Sequence, residues 1–390
     1  MYSRRAEGTR VSFFVKECAH GVYLSMPVQK NGLITIFFTE RDEDYRAFCS
    51  FLKDQPQIQK KDEYAAFLEE LCEARHPELR MSPARRDETA RAFVQEHAKK
   101  VPLERCGAWV WYPWLNTIVH VLEETLHDEL RTARNKNLIT REEQQAFRDC
   151  AVAVCGLSVG SHAALTLAMQ GGAHHIRLAD ADTISGTNLN RIRTGVHTAG
   201  DNKAVAAAKD MYAMNPYADI VLYDSGLNEN NVEAFLCEPE PVRVLVEEMD
   251  SLWLKVLIRK IARQKRIPVI SAADNGDGII LDVERFDLHP DLPLFGGRID
   301  GIPEDDLRAA KGPAAGAIIA KMIGEADVRE RMHASAKEIG KTLYSWPQLG
   351  NAAQLAGSAL SYTVRMIATN GPLKEGRTVI SFEDILSTSQ

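Results

Sequence analysis

The stretch from Val152 to Asn215 limits this chain more than any other. Val152-Ala-Val-Cys155 is a short, wholly apolar run that ends in Gly156-Leu-Ser-Val-Gly160-Ser161 and passes into the small-residue segment from Ala163 to Met169. Such a run suits a strand buried on both faces, the habit of parallel sheets covered by helices. The glycines let the backbone approach an anion at a helix N-terminus, where unpaired N–H groups and the helix dipole favour negative charge. The spacing Gly156-x-x-x-Gly160 is not the three-glycine dinucleotide pattern, so the same turn also serves a chain that only needs close strand-to-helix packing.

Residues beyond the turn narrow the chemistry. Ile176-Arg-Leu-Ala-Asp180 reads as a second strand whose carboxylate stands 20 positions after Gly160, where an acidic side chain in such folds accepts from ribose hydroxyls. Asp182, Asn188, Arg191, Arg193 and Lys203 come next, before Asn215-Pro216. That is more cation than the pyrophosphate of a redox dinucleotide needs, and it suits phosphoryl or nucleotidyl transfer, in which prepositioned Arg and Lys stabilise charge on nonbridging oxygens. An NAD-dependent oxidoreductase would leave Arg191 and Lys203 without a task. Arg191 and Lys203 as ordinary surface charges is the competing reading.

The ordered set of glycine turn, Asp180-x-Asp182, Asn188-Leu-x-Arg191, Lys203 and Asn215-Pro216 resembles the ThiF/MoeB/HesA adenylyltransferases, relatives of ubiquitin-activating enzymes. The resemblance runs from about Arg131 to Phe286; the glycine turn and the Arg191-to-Lys203 spacing are each one residue shorter than in the family. It implies an α/β fold with a Rossmann-like doubly wound sheet. It also implies ATP and Mg2+, with Gly156 and Gly160 at the phosphates, Asp180 on the ribose beside Asp182, and Asn188, Arg191 and Lys203 around the phosphates. By the same match Asp250, in Val246-Glu-Glu-Met-Asp250-Ser, positions the metal and the reacting phosphate, and Arg134 in Arg131-x-x-Arg134-Asn135 is supplied in trans within a homodimer. A solvated basic helix end is the alternative for Arg131 and Arg134. The chemistry implied is adenylation of a carboxylate with release of pyrophosphate.

There are seven cysteines, at 18, 49, 72, 106, 150, 155 and 237, with no Cys-x-x-Cys pair, so no structural zinc is expected. None lies beyond Cys237, where related activating enzymes place a thioester-forming thiol, and Cys155 reads as a small buried hydrophobe. This odd, scattered set, with no signal peptide, reads as reduced cytoplasmic thiols. A chain of 390 residues that is 45% apolar and 26% charged can bury two domains' worth of core. No apolar run approaches the roughly 20 residues that span a bilayer. A formal net charge of −7 gives no general attraction to nucleic acid.

The flanks carry the substrate question. Domains are expected at 1–105 (a small N-terminal α+β recognition domain), 106–150 (a helical linker with the arginine) and 151–390 (the adenylation domain with a helical C-terminal part). Val11 to Val15, Val22-Tyr-Leu and Leu33 to Phe38, with a turn at Lys30-Asn-Gly32, suggest a small antiparallel sheet. Tyr45, Phe48 and Leu52 share a helix face, and Tyr64, Phe67, Leu68 and Leu71 form a second stripe with Asp62 as a plausible cap. Such a domain resembles the peptide clamp of some peptide-maturing enzymes, but dimerisation or a lid fits the pattern equally. Trp109, Trp111, Tyr112 and Trp114 read as a recognition surface or as core. Ile279 to Phe286 reads as a strand leaving the sheet, and 303–369 as helical.

The reading reached from sequence is ATP-dependent adenylation of a carboxylate on a ribosomally made peptide bound through its leader, leading to dehydration or cyclisation in natural-product maturation, as in microcin- and pantocin-type relatives. The alternatives are cyclisation of a carboxylate on a modified tRNA nucleoside, and a nucleotide-binding sensor without turnover.

Overall fold

The computed structural model of the chain describes residues 27–99 and 101–387, and divides them into two compact units, 27–141 with 212–218 and 142–211 with 219–387. Val11 to Val15, Val22 and Cys18 lie outside the described residues.

The smaller unit is built on a five-stranded sheet of β1 (Val28–Lys30), β2 (Ile34–Phe37), β3 (Gln59–Asp62), β4 (Ala108–Tyr112) and β5 (Thr117–Val121), in the order β1-β2-β4-β5-β3. The expected turn closes the first hairpin: Lys30 pairs with Ile34, and Asn31 and Gly32, both at positive φ (52° and 67°), sit at the centre of a turn in which the Leu33 N–H donates to the Lys30 carbonyl at 2.9 Å. The segment expected as a helical linker contains β4 and β5. Their alternating aromatic and β-branched residues suit a pleated, half-buried surface, and Trp109 is fully buried, stacked on His120 with centroids 4.2 Å apart. Trp109 and Tyr112 are therefore core residues. The helix Tyr64–Arg75 buries Tyr64, Leu68 and Leu71 as the stripe requires, but Asp62 does not cap it. Asp62 ends β3 and bonds the ring of His120 at 2.8 Å instead.

The larger unit holds a seven-stranded sheet of β6 (Val152–Cys155), β7 (His175–Ala179), β8 (Asp219–Tyr223), β9 (Val244–Glu247), β10 (Val269–Asn275), β11 (Gly278–Glu284) and β12 (Gly376–Ser381), in the order β12-β11-β10-β9-β6-β7-β8. From β8 to β10 neighbouring strands are parallel; β11 and β12 are antiparallel additions. The strand over Ile279 to Phe286 thus stays in the sheet, folded back on β10 through Gly276 at φ +68° and covered at its outer edge by β12, which carries no clear signal in the sequence.

The two faces of the sheet follow from the period-2 alternation of its strands. Ala153, Cys155, Leu245 and Val269 face a core shared with Val256 and Ile258 of the helix Leu252–Gln264. On the other face, Val154 meets the helix Gly160–Met169, and Gly357 in the helix Gly350–Ala368 lies directly against His162. A Cβ on Gly357 would stand 2.3 Å from the His162 Cβ, so glycine there sets the approach of the two helices. Among the described residues, the segment 303–369 contains the α-helices Glu304–Ala309, Gly312–Ile323, Glu330–Ala336 and Gly350–Ala368, with a non-helical stretch before Gly350, and a short helix Phe382–Leu386 follows β12.

Candidate nucleotide site

The chain runs from β6 outward to β7 and β8 on one side and later continues to β9 and β10 on the other. Such a reversal opens a crevice at the carboxyl ends of the parallel strands, the usual ligand site in open α/β sheets. The turn leaving β6 lies there. Gly156 has φ +83°, and a Cβ on it would sit 2.3 Å from the Glu248 carbonyl oxygen, so only glycine lets the ends of β6 and β9 come this close. Gly160 begins the helix Gly160–Met169, directing its first N–H groups toward the turn.

Asp180, just after β7, closes the turn from the other side. One carboxylate oxygen accepts from the Leu157 N–H at 2.6 Å and the other from the Asp182 N–H at 2.8 Å, while burial raises its pKa. Each oxygen keeps a second lone pair for a further donor. Asp182 is itself exposed and pairs with the buried Lys203 at 2.8 Å. Asn202, which sequence reasoning missed, organises this segment: its amide N–H groups reach the carbonyls of Asp180 and Asp224, both at 2.9 Å, and its Oδ1 accepts from Ala204 and Val205 at the start of the helix Lys203–Met214. An Asn just ahead of a helical segment was the available signal.

Asn188 is buried and its Oδ1 accepts from the Ser185 N–H at 3.0 Å, so in this structure it shapes its own loop. Arg191 reaches back to the glycine turn, with Nε donating to Ser158 Oγ at 3.0 Å and Nη1 to the Thr187 carbonyl at 3.1 Å. Burial lowers its pKa, while Asp274 and Asp250 favour the charged form. Asp250 follows β9 and is exposed, a carboxylate free to share a divalent cation with nucleotide oxygens. Gly156, Gly160, Asp180, Asp182, Asn188, Arg191, Lys203 and Asp250 all belong to this unit; Asp180 and Arg191 are tied to the glycine turn through Leu157 and Ser158, and Lys203 is tied to Asp182 beside Asp180. Arg134 belongs to the smaller unit, exposed on the short turn Ala133–Asn135.

Two further carboxyls in the same unit went unread in the sequence. Glu248 follows β9, accepts from the Ala272 N–H at 2.7 Å, and is pushed well above the usual carboxylate range by burial. Asp274, near the end of β10, is buried and accepts from Gln348 Nε2 at 2.7 Å. Asp274 ends an apolar strand as Asp180 follows one, which was a usable signal; Gln348, 74 residues later, had none. Cys155 is fully buried with its thiol pKa raised by burial, as a core residue.

Comparison with known proteins gives a match to the ThiF family over residues 132–281. An uncharacterized protein of Mycobacterium tuberculosis (strain CDC 1551 / Oshkosh) is 36% identical over 276 residues, 70% of this chain and 38% of that protein. The tRNA threonylcarbamoyladenosine dehydratase of Bacillus subtilis (strain 168) is 28% identical over 142 residues, 36% of this chain and 55% of that enzyme. A crystal structure of Escherichia coli MccB with AMPCPP and MccA aligns with a TM-score of 0.44 at 15% identity, covering 66% of each chain. The chain thus spans 38% and 55% of the length of these two curated relatives.

Proposed function

From a chain that carries a ThiF-family domain over residues 132–281, we propose an ATP-dependent enzyme that adenylates a carboxylate. The observation that carries this reading is the convergence of Arg191 and Lys203, through Ser158 and Asp182, on the glycine turn that Asp180 closes. Asp180 takes the ribose hydroxyls, and the turn between Gly156 and Gly160 receives the phosphates at the helix N-terminus. A carboxylate oxygen of the substrate attacks the α-phosphorus, the bond to the β-phosphate bridge breaks, and pyrophosphate leaves with the electron pair. Arg191 and Lys203 neutralise the charge that grows on the phosphate oxygens, with Asn188 lining the same loop; Asp250, together with nucleotide oxygens, would hold Mg2+, which would supply further positive charge there. Orientation and charge suffice for this step without a side-chain nucleophile.

The acid belongs to a peptide, and the adenylate is opened by a nearby nucleophile to give dehydration or cyclisation. The smaller unit supports a peptide partner, since β3 lies at the edge of its sheet with all four residues exposed, where a leader segment adds as a strand. The enzyme works as a homodimer in the cytoplasm, with Arg134 reaching the partner's site. No helix among the described residues is long and apolar enough to cross a membrane. A tRNA nucleoside carboxylate is the second reading, favoured by the B. subtilis relative, and it requires a basic channel beside the crevice.

The test is ATP–pyrophosphate exchange with candidate peptides and with modified tRNA. Lys203→Ala and Asp250→Ala are expected to lower exchange about a hundredfold to a thousandfold with the fold intact, a lost transition-state charge contact being worth roughly 3–4 kcal/mol, and Arg134→Ala to lower it less. Near-normal exchange in both of the first two variants rejects the assigned roles, and nucleotide binding without exchange on any acid points to a sensor.

A further inference from the structure

The strand order sets four chain ends side by side: Asp180 after β7, Gly156 after β6, Glu248 after β9 and Asp274 on β10. Neighbouring strands lie about 4.8 Å apart, so β7 and β10 are separated by roughly 14 Å across the crevice. With ribose at Asp180 and phosphates over the Gly156 turn, the acyl group falls on the β10 side. Asp274 waits there in an unusual state. It is 7% exposed, its Oδ2 accepts from Gln348, and its Oδ1 has no hydrogen-bond partner. A buried acceptor left in this way costs roughly 1–3 kcal/mol. Gln348 fixes the carboxyl in place, because its own carbonyl accepts from Asn190 Nδ2 at 2.9 Å, beside Arg191.

We propose that Asp274 is the acid-substrate subsite of the crevice: nucleotide binding makes it take up a proton from solvent, and its O–H then donates a hydrogen bond to the incoming carboxylate. The inference rests on the adenylation reading. An ionised Asp274 would repel both phosphate and substrate, whereas the protonated carboxyl gives the unpartnered oxygen a donor to offer. Burial raises the Asp274 pKa from its ordinary value to about 6, opposed by the Gln348 hydrogen bond and the Arg191 charge. Phosphates that engage Arg191 weaken that opposition and add negative charge, so the pKa rises further. The other titratable groups around it are Glu248, which burial raises well above the usual range, Asp250 near Arg191, and His162, whose ring bonds the Arg191 carbonyl and whose pKa burial lowers.

The experiment is calorimetric titration of the full chain with MgATP, without acid substrate, in buffers of different ionisation enthalpy between pH 6 and 8. The wild type is expected to take up a large part of one proton, with affinity falling by up to about tenfold per pH unit through that window. Asp274→Asn should abolish the excess uptake and flatten the affinity. Gln348→Leu, which removes a bond that favours the ionised form, should move the uptake to higher pH. Uptake in Asp274→Asn equal to the wild type assigns the proton to His162 or Glu248 and overturns the proposal, as does a wild type that takes up none. Failure of the wild type to bind MgATP at all is a distinct result, which removes the adenylation reading and this inference with it.

Discussion

The two faces of the larger sheet both bury charge, and they do so in opposite ways. On the face toward the helix Leu252–Gln264, Arg259 bonds Glu247, Glu284 (2.7 Å) and Ser271 (3.1 Å), while Lys255 and the Met249 N–H complete Glu247 and the Phe295 N–H completes Glu284. Burial works against these charges, yet the mutual attraction holds the Arg259 pKa above and the Glu247 pKa below their ordinary values. On the face toward Gly160–Met169, Asp274 is left with an unpartnered oxygen and a raised pKa. Burial of a charge therefore marks nothing by itself; a site is marked where fixed polar groups remain unsatisfied.

The largest effect is expected from breaking the satisfied network. Arg259→Ala strands two carboxylates in the interior and should lower unfolding stability by about 3–5 kcal/mol in a denaturant titration. A loss below about 1 kcal/mol would erase the distinction between the two faces.

Asp274 gives the next effect, with the opposite sense. Its folded pKa of about 6 exceeds the ordinary 3.8, so the folded state binds more protons between those values. Stability from this group is present below about pH 4 and is lost as pH rises to about 6, a difference of roughly 3 kcal/mol at most. Comparing the wild type with Asp274→Asn from pH 4 to 7, the wild type alone should carry this slope, and parallel curves would show that the carboxyl is not strained.

Asp182 should give the smallest effect. Its side chain is 72% exposed, so Asp182→Ala is expected to change stability by about 1 kcal/mol or less despite the short contact with Lys203. A larger loss would mean that Lys203 needs this partner to stay buried.

Much of the central unit was legible in the sequence because it is local. The apolar run 152–155, the glycine turn and the carboxylate after the second strand each announce themselves within a few residues, and the structure places them as strand, turn and Asp180 around one crevice. Asn188 was readable as a site residue, yet its recorded bond is to Ser185 within its own loop. Beside and on the helix Glu124–Arg131, long-range anchors have no local signal: Glu123 accepts from the Tyr64 hydroxyl at 2.9 Å and Glu129 from Arg75.

The amino-acid order alone determined the alternation of parallel strands and helices, the small sheet with its Asn31-Gly32 hairpin, and the run of cations after Asp180. Tertiary structure alone decided that β4 and β5 complete the small sheet, that β12 closes the larger one, and that Gln348 holds Asp274 beside the Arg191 loop. The reason is physical. Turns, caps and periodicity act between residues a few positions apart, whereas hydrophobic burial is non-directional and leaves the choice of distant partners to the packed chain as a whole.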